Sequence, residues 1–148
     1  MFLSTDLCEL RAEAVTPASA SFGVAIELYK QERLKDESDA KVIEQISGLE
    51  TSVYYDEDDT PVAVSSVDTS YSHLGEYTLE LLAVDTSNRG LGIGRTVLAS
   101  ILLNYREEYE DGILIILAQP STTDYYLDLG ARNEDGLIYF ELSDESIF

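Results

Sequence analysis

The residues best suited to chemistry lie close together. Arg89-Gly90-Leu91-Gly92-Ile93-Gly94-Arg95 follows the apolar run Leu79-Glu80-Leu81-Leu82-Ala83-Val84 by way of a polar turn, Asp85-Thr86-Ser87-Asn88. Glycines let a backbone take unusual torsions and approach a ligand closely. The first turn of a helix presents N–H groups without intrahelical partners and a partial positive charge, which suit phosphate oxygens. This segment is therefore expected to cradle a pyrophosphate. No carboxylate occurs between Thr86 and Tyr105, so an anionic ligand would meet no local repulsion.

Two common phosphate loops do not fit. A dinucleotide fingerprint counted from Gly90 and Gly92 needs its third glycine where Arg95 stands. Its acidic ribose partner would fall near Tyr109 to Asp111, at the end of a helix rather than of a second strand. A Walker loop needs Gly-Lys-Ser/Thr before its helix, and none is present.

The elements that position this loop read as mixed α/β. Cys8 to Val15 is expected as a first strand, and a helix opened by Pro17 and Ser19 as running through Phe22, Ala25, Ile26, Tyr29 and Arg33. Ser38 is a candidate cap for a short helix burying Val42, Ile43 and Ile46 and ended by Gly48. Thr51–Tyr55 and Pro61–Val67 form a hairpin about an acidic turn, and Glu76–Val84 is the next strand. A helix from Gly94 to about Tyr109 carries Val97, Leu98, Ile101, Leu102 and Tyr105 on one stripe. Ile113 to Ala118 reads as a strand buried on both faces. A short helix through Tyr125, Tyr126 and Leu129 ends at Gly130, and Leu137–Leu142 is the last strand.

The 148 residues suit one domain, and 45% hydrophobic composition argues against global disorder. The net charge of −20 makes nucleic-acid binding through phosphates improbable. That charge has three readings: solubility in a salty cytoplasm, attraction of a cationic substrate, or mimicry of nucleic acid by an acidic interaction protein. No apolar run is long enough to cross a bilayer and no secretory pattern opens the chain, so a cytoplasmic location without membrane partners is expected. With Cys8 the single cysteine, no intrachain disulfide and no cysteine metal cluster are expected, and with His73 the single histidine, Ser-His-Asp hydrolase chemistry is improbable.

The glycine segment resembles motif A of the GCN5-related N-acetyltransferase (GNAT) superfamily, Gln/Arg-x-x-Gly-x-Gly/Ala, here Arg89-Gly90-Leu91-Gly92-Ile93-Gly94. Downstream, Tyr126-Leu127-Asp128-Leu129-Gly130-Ala131 resembles the family's Tyr-x-x-Leu-Gly-Phe segment, with Ala131 in place of the aromatic and Gln119 where many relatives have Asn. The resemblance covers the element order of nearly the whole chain. It implies one GNAT domain over residues 1–148: an acyl-CoA N-acyltransferase fold with a mixed central sheet, a splayed parallel strand pair and flanking helices.

The resemblance further implies acetyl-CoA as cosubstrate. Leu82, Ala83 and Val84 would pair with the pantetheine amides, and the N–H groups from Arg89 through Gly90, Leu91, Gly92, Ile93 and Gly94 to Arg95 would wrap the pyrophosphate. Gln119 follows the strand on the far side of the cleft. Transfer to an amine needs a base, because an amine titrating near ~10.4 is free in only roughly a thousandth or less of molecules at neutral pH. It also needs an acid for the leaving thiolate. Tyr126 matches the family tyrosine and is the candidate acid, with Tyr125 its rival if the register slips. Glu76, Thr78 and Glu80 share one strand face by alternation; some relatives carry a catalytic glutamate there, so Glu80 and then Glu76 are candidate bases, with His73 an alternative. Acceptors in the family enter beside the first helical region, where Glu27, Tyr29, Glu32 and Asp36-Glu37-Ser38-Asp39 favour a cationic small-molecule or peptide amine. Relatives often pair through their last strands, so a homodimer is among the implied assemblies. The alternative reading is a GNAT-fold protein that binds CoA as a sensor or interaction module without transfer.

Overall fold

The computed structural model describes residues 9–31, 34–88 and 92–144. Strand β1 (Arg11–Val15) leads to helices α1 (Phe22–Lys30) and α2 (Asp39–Ile46), then to strands β2 (Glu50–Tyr55), β3 (Pro61–Asp68) and β4 (Glu76–Val84). Helix α3 (Ile93–Glu108), β5 (Ile113–Ile116), α4 (Thr123–Asp128), β6 (Arg132–Glu134) and β7 (Leu137–Glu141) complete the order. The strands form one seven-stranded sheet in the order β1-β2-β3-β4-β5-β7-β6. Of its strand pairs only β4–β5 is parallel, the result of the crossover through α3.

Local chemistry explains most of these boundaries. Ser38 caps α2, its hydroxyl accepting the Lys41 N–H at 3.2 Å. The β2–β3 turn closes on Asp56, whose carboxylate accepts the N–H groups of Asp58 (2.9 Å) and Thr60 (3.0 Å). The sheet separates two apolar cores. On one face Val97, Leu98, Ile101, Leu102 and Tyr105 of α3 pack on Tyr77, Leu79, Leu114, Ile116 and Phe140. There Tyr77 and Tyr105 stack at 4.1 Å between centroids. On the other face Phe22, Ala25, Ile26, Tyr29, Val42 and Ile46 cover Val53, Val64 and Leu81.

Four expectations change. Pro17 and Ser19 form a turn rather than a helical start, with the Ser19 N–H bonding the Thr16 carbonyl at 2.8 Å, so α1 begins at Phe22. Its expected continuation through Glu32 and Arg33, like the strand start at Cys8, lies outside the described residues. Strand β5 stops at Ile116 and is fully buried on one face only: Leu114 and Ile116 are buried, Ile113 and Ile115 are half-buried, and Leu117 is 52% exposed. The reason is coverage, since α1 packs chiefly over β2, β3 and β4. Finally, β6 pairs antiparallel with β7 at the sheet edge. Its sequence, Arg132-Asn133-Glu134, is wholly polar and exposed and gives no periodic signal.

Candidate active site

The parallel pair opens partway along. β4 and β5 are in register from Glu76 opposite Ile113 to Leu79 opposite Ile116, and the Leu117 N–H still donates to the Leu79 carbonyl at 3.0 Å. Beyond Leu79, β4 continues to Val84 in register with β3 alone. Leu82, Ala83 and Val84 are half-buried, and their strand has an edge facing the gap. Leu117, exposed on the departing strand, supplies apolar surface on the opposite side.

A bulge lies at the point of parting. Val67 stands opposite Leu79 and Ser66 opposite Leu81, so Glu80 has no partner residue on β3. One extra residue reverses the alternation of the strand. Tyr77, Leu79, Leu82 and Val84 pack toward the α3 core, whereas Leu81 and Ala83 pack toward α1 and α2. Alternation from Tyr77 places Glu80 on the same side as Leu81. A buried hydroxyl group of contacts underlies the bulge. Tyr29 Oη lies 2.8 Å from Ser66 Oγ and donates to the Leu81 carbonyl at 3.3 Å, and Thr51 Oγ1 lies 2.8 Å from Ser66 Oγ. These bonds satisfy polar groups that would otherwise be costly inside a core.

Glu80 is half-buried, and desolvation raises its carboxyl above the usual range, aided by the nearby charge of Asp68. Asp68 itself is held low by the hydroxyl and N–H of Ser70. Glu76 is exposed and stands at the closed end of the gap, opposite Ile113, four positions before Glu80. The structure thus puts Glu80, not Glu76, where the strands part. His73 is exposed in a single 3-10 turn, Ser72–Leu74, preceding β4.

The mouth of the gap is formed by the start of α3. Gly92 is its N-cap, at φ +77° and ψ 12°, a left-handed conformation that L side chains resist. Having no side chain, Gly92 leaves the first-turn N–H groups uncapped, while its carbonyl accepts both the Thr96 N–H (3.1 Å) and the Thr96 hydroxyl (3.0 Å). No acidic residue occupies that turn, and Arg95 is half-buried within it. The Ile93 side chain is buried in the α3 core, so only its backbone is available to a ligand. A Cβ on Gly94 would stand 2.9 Å from Tyr125 Oη and 3.8 Å from Val84 Cγ2, so β4, α3 and α4 meet at this residue. Arg89, Gly90 and Leu91 lie outside the described residues. Gln119 is exposed across the gap, and its carbonyl accepts the Thr122 N–H (2.9 Å) and the hydroxyls of Thr122 (3.0 Å) and Thr123 (3.3 Å).

The two tyrosines of α4 take different positions. Tyr126 is 8% exposed and joins the α3-side core, edge-on to Tyr125 with centroids 5.2 Å apart. Tyr125 is 43% exposed, with its hydroxyl over Gly94. Burial of its ring raises its pKa, and the charge of Arg95 opposes that shift. Sequence spacing favours Tyr126; only the packing of α4 on α3 shows Tyr125 at the helix start.

These groups fit an acyl-CoA ligand. A free strand edge can bond amides as an added strand would, and an uncapped, carboxylate-free helix N-terminus can receive a pyrophosphate. A mixed sheet opened between two parallel strands, with such a helix start at its mouth, defines the scaffold of an acyl-CoA-dependent transferase. The family model for an acetyltransferase (GNAT) domain matches residues 14–139, and the chain belongs to this family of N-acetyltransferases. Members of the family use acetyl-CoA.

Solved structures agree on the fold at low identity. Tetrahymena GCN5 superposes with a TM-score of 0.71 at 11% identity, over 89% of this chain and 96% of that one. A putative GNAT acetyltransferase from Desulfovibrio desulfuricans gives 0.68 at 14% identity, over 90% and 99%. A spermidine N-acetyltransferase SpeG chimera from Vibrio cholerae and hSSAT gives 0.71 at 14% identity, over 92% and 97%. No curated protein sequence matches significantly. Among the described residues no helix is long and apolar enough to cross a membrane, and no cluster of three or more metal-ligating side chains occurs.

Proposed function

We propose that this chain, acting as one domain over residues 1–148, transfers an acetyl group from acetyl-CoA to a primary amine by direct attack in a ternary complex. The observation that carries the reading is the free edge of β4 running from the Glu80 bulge to the Gly92-capped start of α3. Bound acetyl-CoA would supply an activated thioester. The edge of Leu82, Ala83 and Val84 would orient it through backbone bonds. The N–H groups of Ile93, Gly94 and Arg95, with the Arg89-Gly90-Leu91-Gly92 segment, would hold its phosphates.

Glu80 is the base in this reading. Its raised pKa makes it a better proton acceptor than an ordinary carboxylate, and its negative charge draws a protonated amine to the gap. Glu76 is too far toward the closed end to be preferred. Tyr126 is the proton donor to the departing sulfur. Tyr125 is a second reading of that role, favoured by its exposed hydroxyl over Gly94. An acidic surface, with exposed Glu27, Asp36 and Glu37 among it, favours a cationic acceptor such as a polyamine, an aminoglycoside-like molecule or a peptide amine. A homodimer through the last strands belongs to the same reading.

Free-thiol release from acetyl-CoA, measured across a panel of these amines, tests it. Release with at least one cationic amine, abolished in Glu80→Gln, is the expected result. CoA binding without release by any amine would instead favour a sensor.

A further inference from the structure

The end of α1 touches the cofactor-side edge twice. Tyr29, in its last turn, bonds the Leu81 carbonyl at 3.3 Å from beneath the bulge. Gln31, its C-cap, reaches the far end of the same segment. Its Nε2 donates to Asp85 Oδ1 at 2.7 Å, and its Oε1 accepts the Thr86 N–H at 3.0 Å. Asp85 is the residue that follows β4, and its other oxygen takes the Ser87 hydroxyl at 2.5 Å and the Asn88 amide at 2.8 Å. The free edge Leu82-Ala83-Val84 is thus gripped at both ends by one turn of one helix. Gln31 also lines an open pocket of about 470 Å³ over α1, together with Ile26, Glu27, Lys30 and Asp39.

We propose that Gln31 is a positioning residue for the donor cosubstrate, which deepens the acetyl-CoA reading and rests on it. Backbone pairing and phosphate contacts fail with displacements well under an ångström or so. The turn from β4 to α3 begins at the two groups Gln31 holds. The Asp85 N–H donates to the Val62 carbonyl of β3 at 2.8 Å, so without Gln31 the Asp85 backbone stays on the sheet while the Asp85 carboxylate and the Thr86 N–H lose their bonds to the end of α1.

The test is CoA titration by calorimetry on the full chain, with thermal melts alongside. Gln31→Ala is expected to weaken CoA about three- to tenfold, the range one net hydrogen bond commands, with a melting temperature lowered by no more than about 2–4 °C. Gln31→Glu, which still accepts from Thr86 but sets a carboxylate against Asp85, is expected to weaken it more. Gln31→Glu combined with Asp85→Asn restores a donor–acceptor pair and is expected to recover affinity. Wild-type affinity in both single variants, no recovery in the double variant, or a loss that simply follows melting temperature would overturn the proposal. Failure of the acetyl-CoA reading looks different: the unaltered chain would itself not bind CoA.

Discussion

Gly92 serves two separable purposes, torsion and approach, and substitution can part them. At φ +77° an alanine pays the left-handed penalty of about 1–2 kcal/mol, partly offset by a stiffer unfolded chain, for a net loss near ~1 kcal/mol. For a domain of this size that is a fall of about 2–4 °C in melting temperature. Gly92→Asn suffers less, because asparagine visits the left-handed region more readily. Both variants place a Cβ on the surface expected to meet phosphate, so both should weaken CoA by about tenfold or more, or ~1.4 kcal/mol. Thermal melts of the free protein and CoA calorimetry read the two effects independently. A melting temperature unmoved in Gly92→Ala would refute the torsional argument. Wild-type CoA affinity in Gly92→Asn would refute the close approach.

Other perturbations probe the chemistry and the scaffold. Tyr126→Phe should lower kcat by roughly 10²-fold with little change in CoA affinity, whereas Tyr125→Phe should not; the reverse pattern in thiol-release assays assigns the donor to Tyr125. Glu80 should set the acid limb of the wild-type pH–rate profile, and Glu80→Gln, in which transfer is lost, should be relatively more stable than wild type at higher pH. The folded state holds the Glu80 proton more tightly than the unfolded chain, so wild-type stability falls as pH rises from the ordinary carboxylate range through the raised folded value. Melts at pH 4 and pH 8 check this: the advantage of the variant must be larger at about pH 8. Ser38→Ala removes the α2 cap and should cost about 1 kcal/mol, seen as a lower melting temperature with CoA affinity unchanged.

What the sequence made legible were features that repeat. The stripe of α3, the hairpin about Asp56 and the limits of β4 at Glu76 and Val84 all follow from periodic apolar positions or from side chains that bond their own backbone. Gly92 and Gly94 are legible because they alternate with Leu91 and Ile93 just after an apolar strand and a polar turn. The bulge was invisible, since inserting Glu80 changes pairing without changing composition, and only β3 shows that the residue is extra. The grip of Gln31 on Asp85 spans more than fifty positions and depends on where α1 lies across the sheet. Tyr125 and Tyr126 are chemically alike in sequence; the packing of α4 decides which hydroxyl reaches Gly94.

The open edge of β4 has a bearing on solution behaviour as well as on catalysis. Unpaired strand edges invite other chains to add to them, and proteins commonly guard them with lysine, proline or a covering loop. Leu82, Ala83 and Val84 carry no such guard, yet they lie inside the sheet, between β3 and the departing β5, rather than at its rim. A foreign strand would have to enter a wedge that closes at Leu79. An edge kept ready for one ligand is thereby protected from self-association by its location alone.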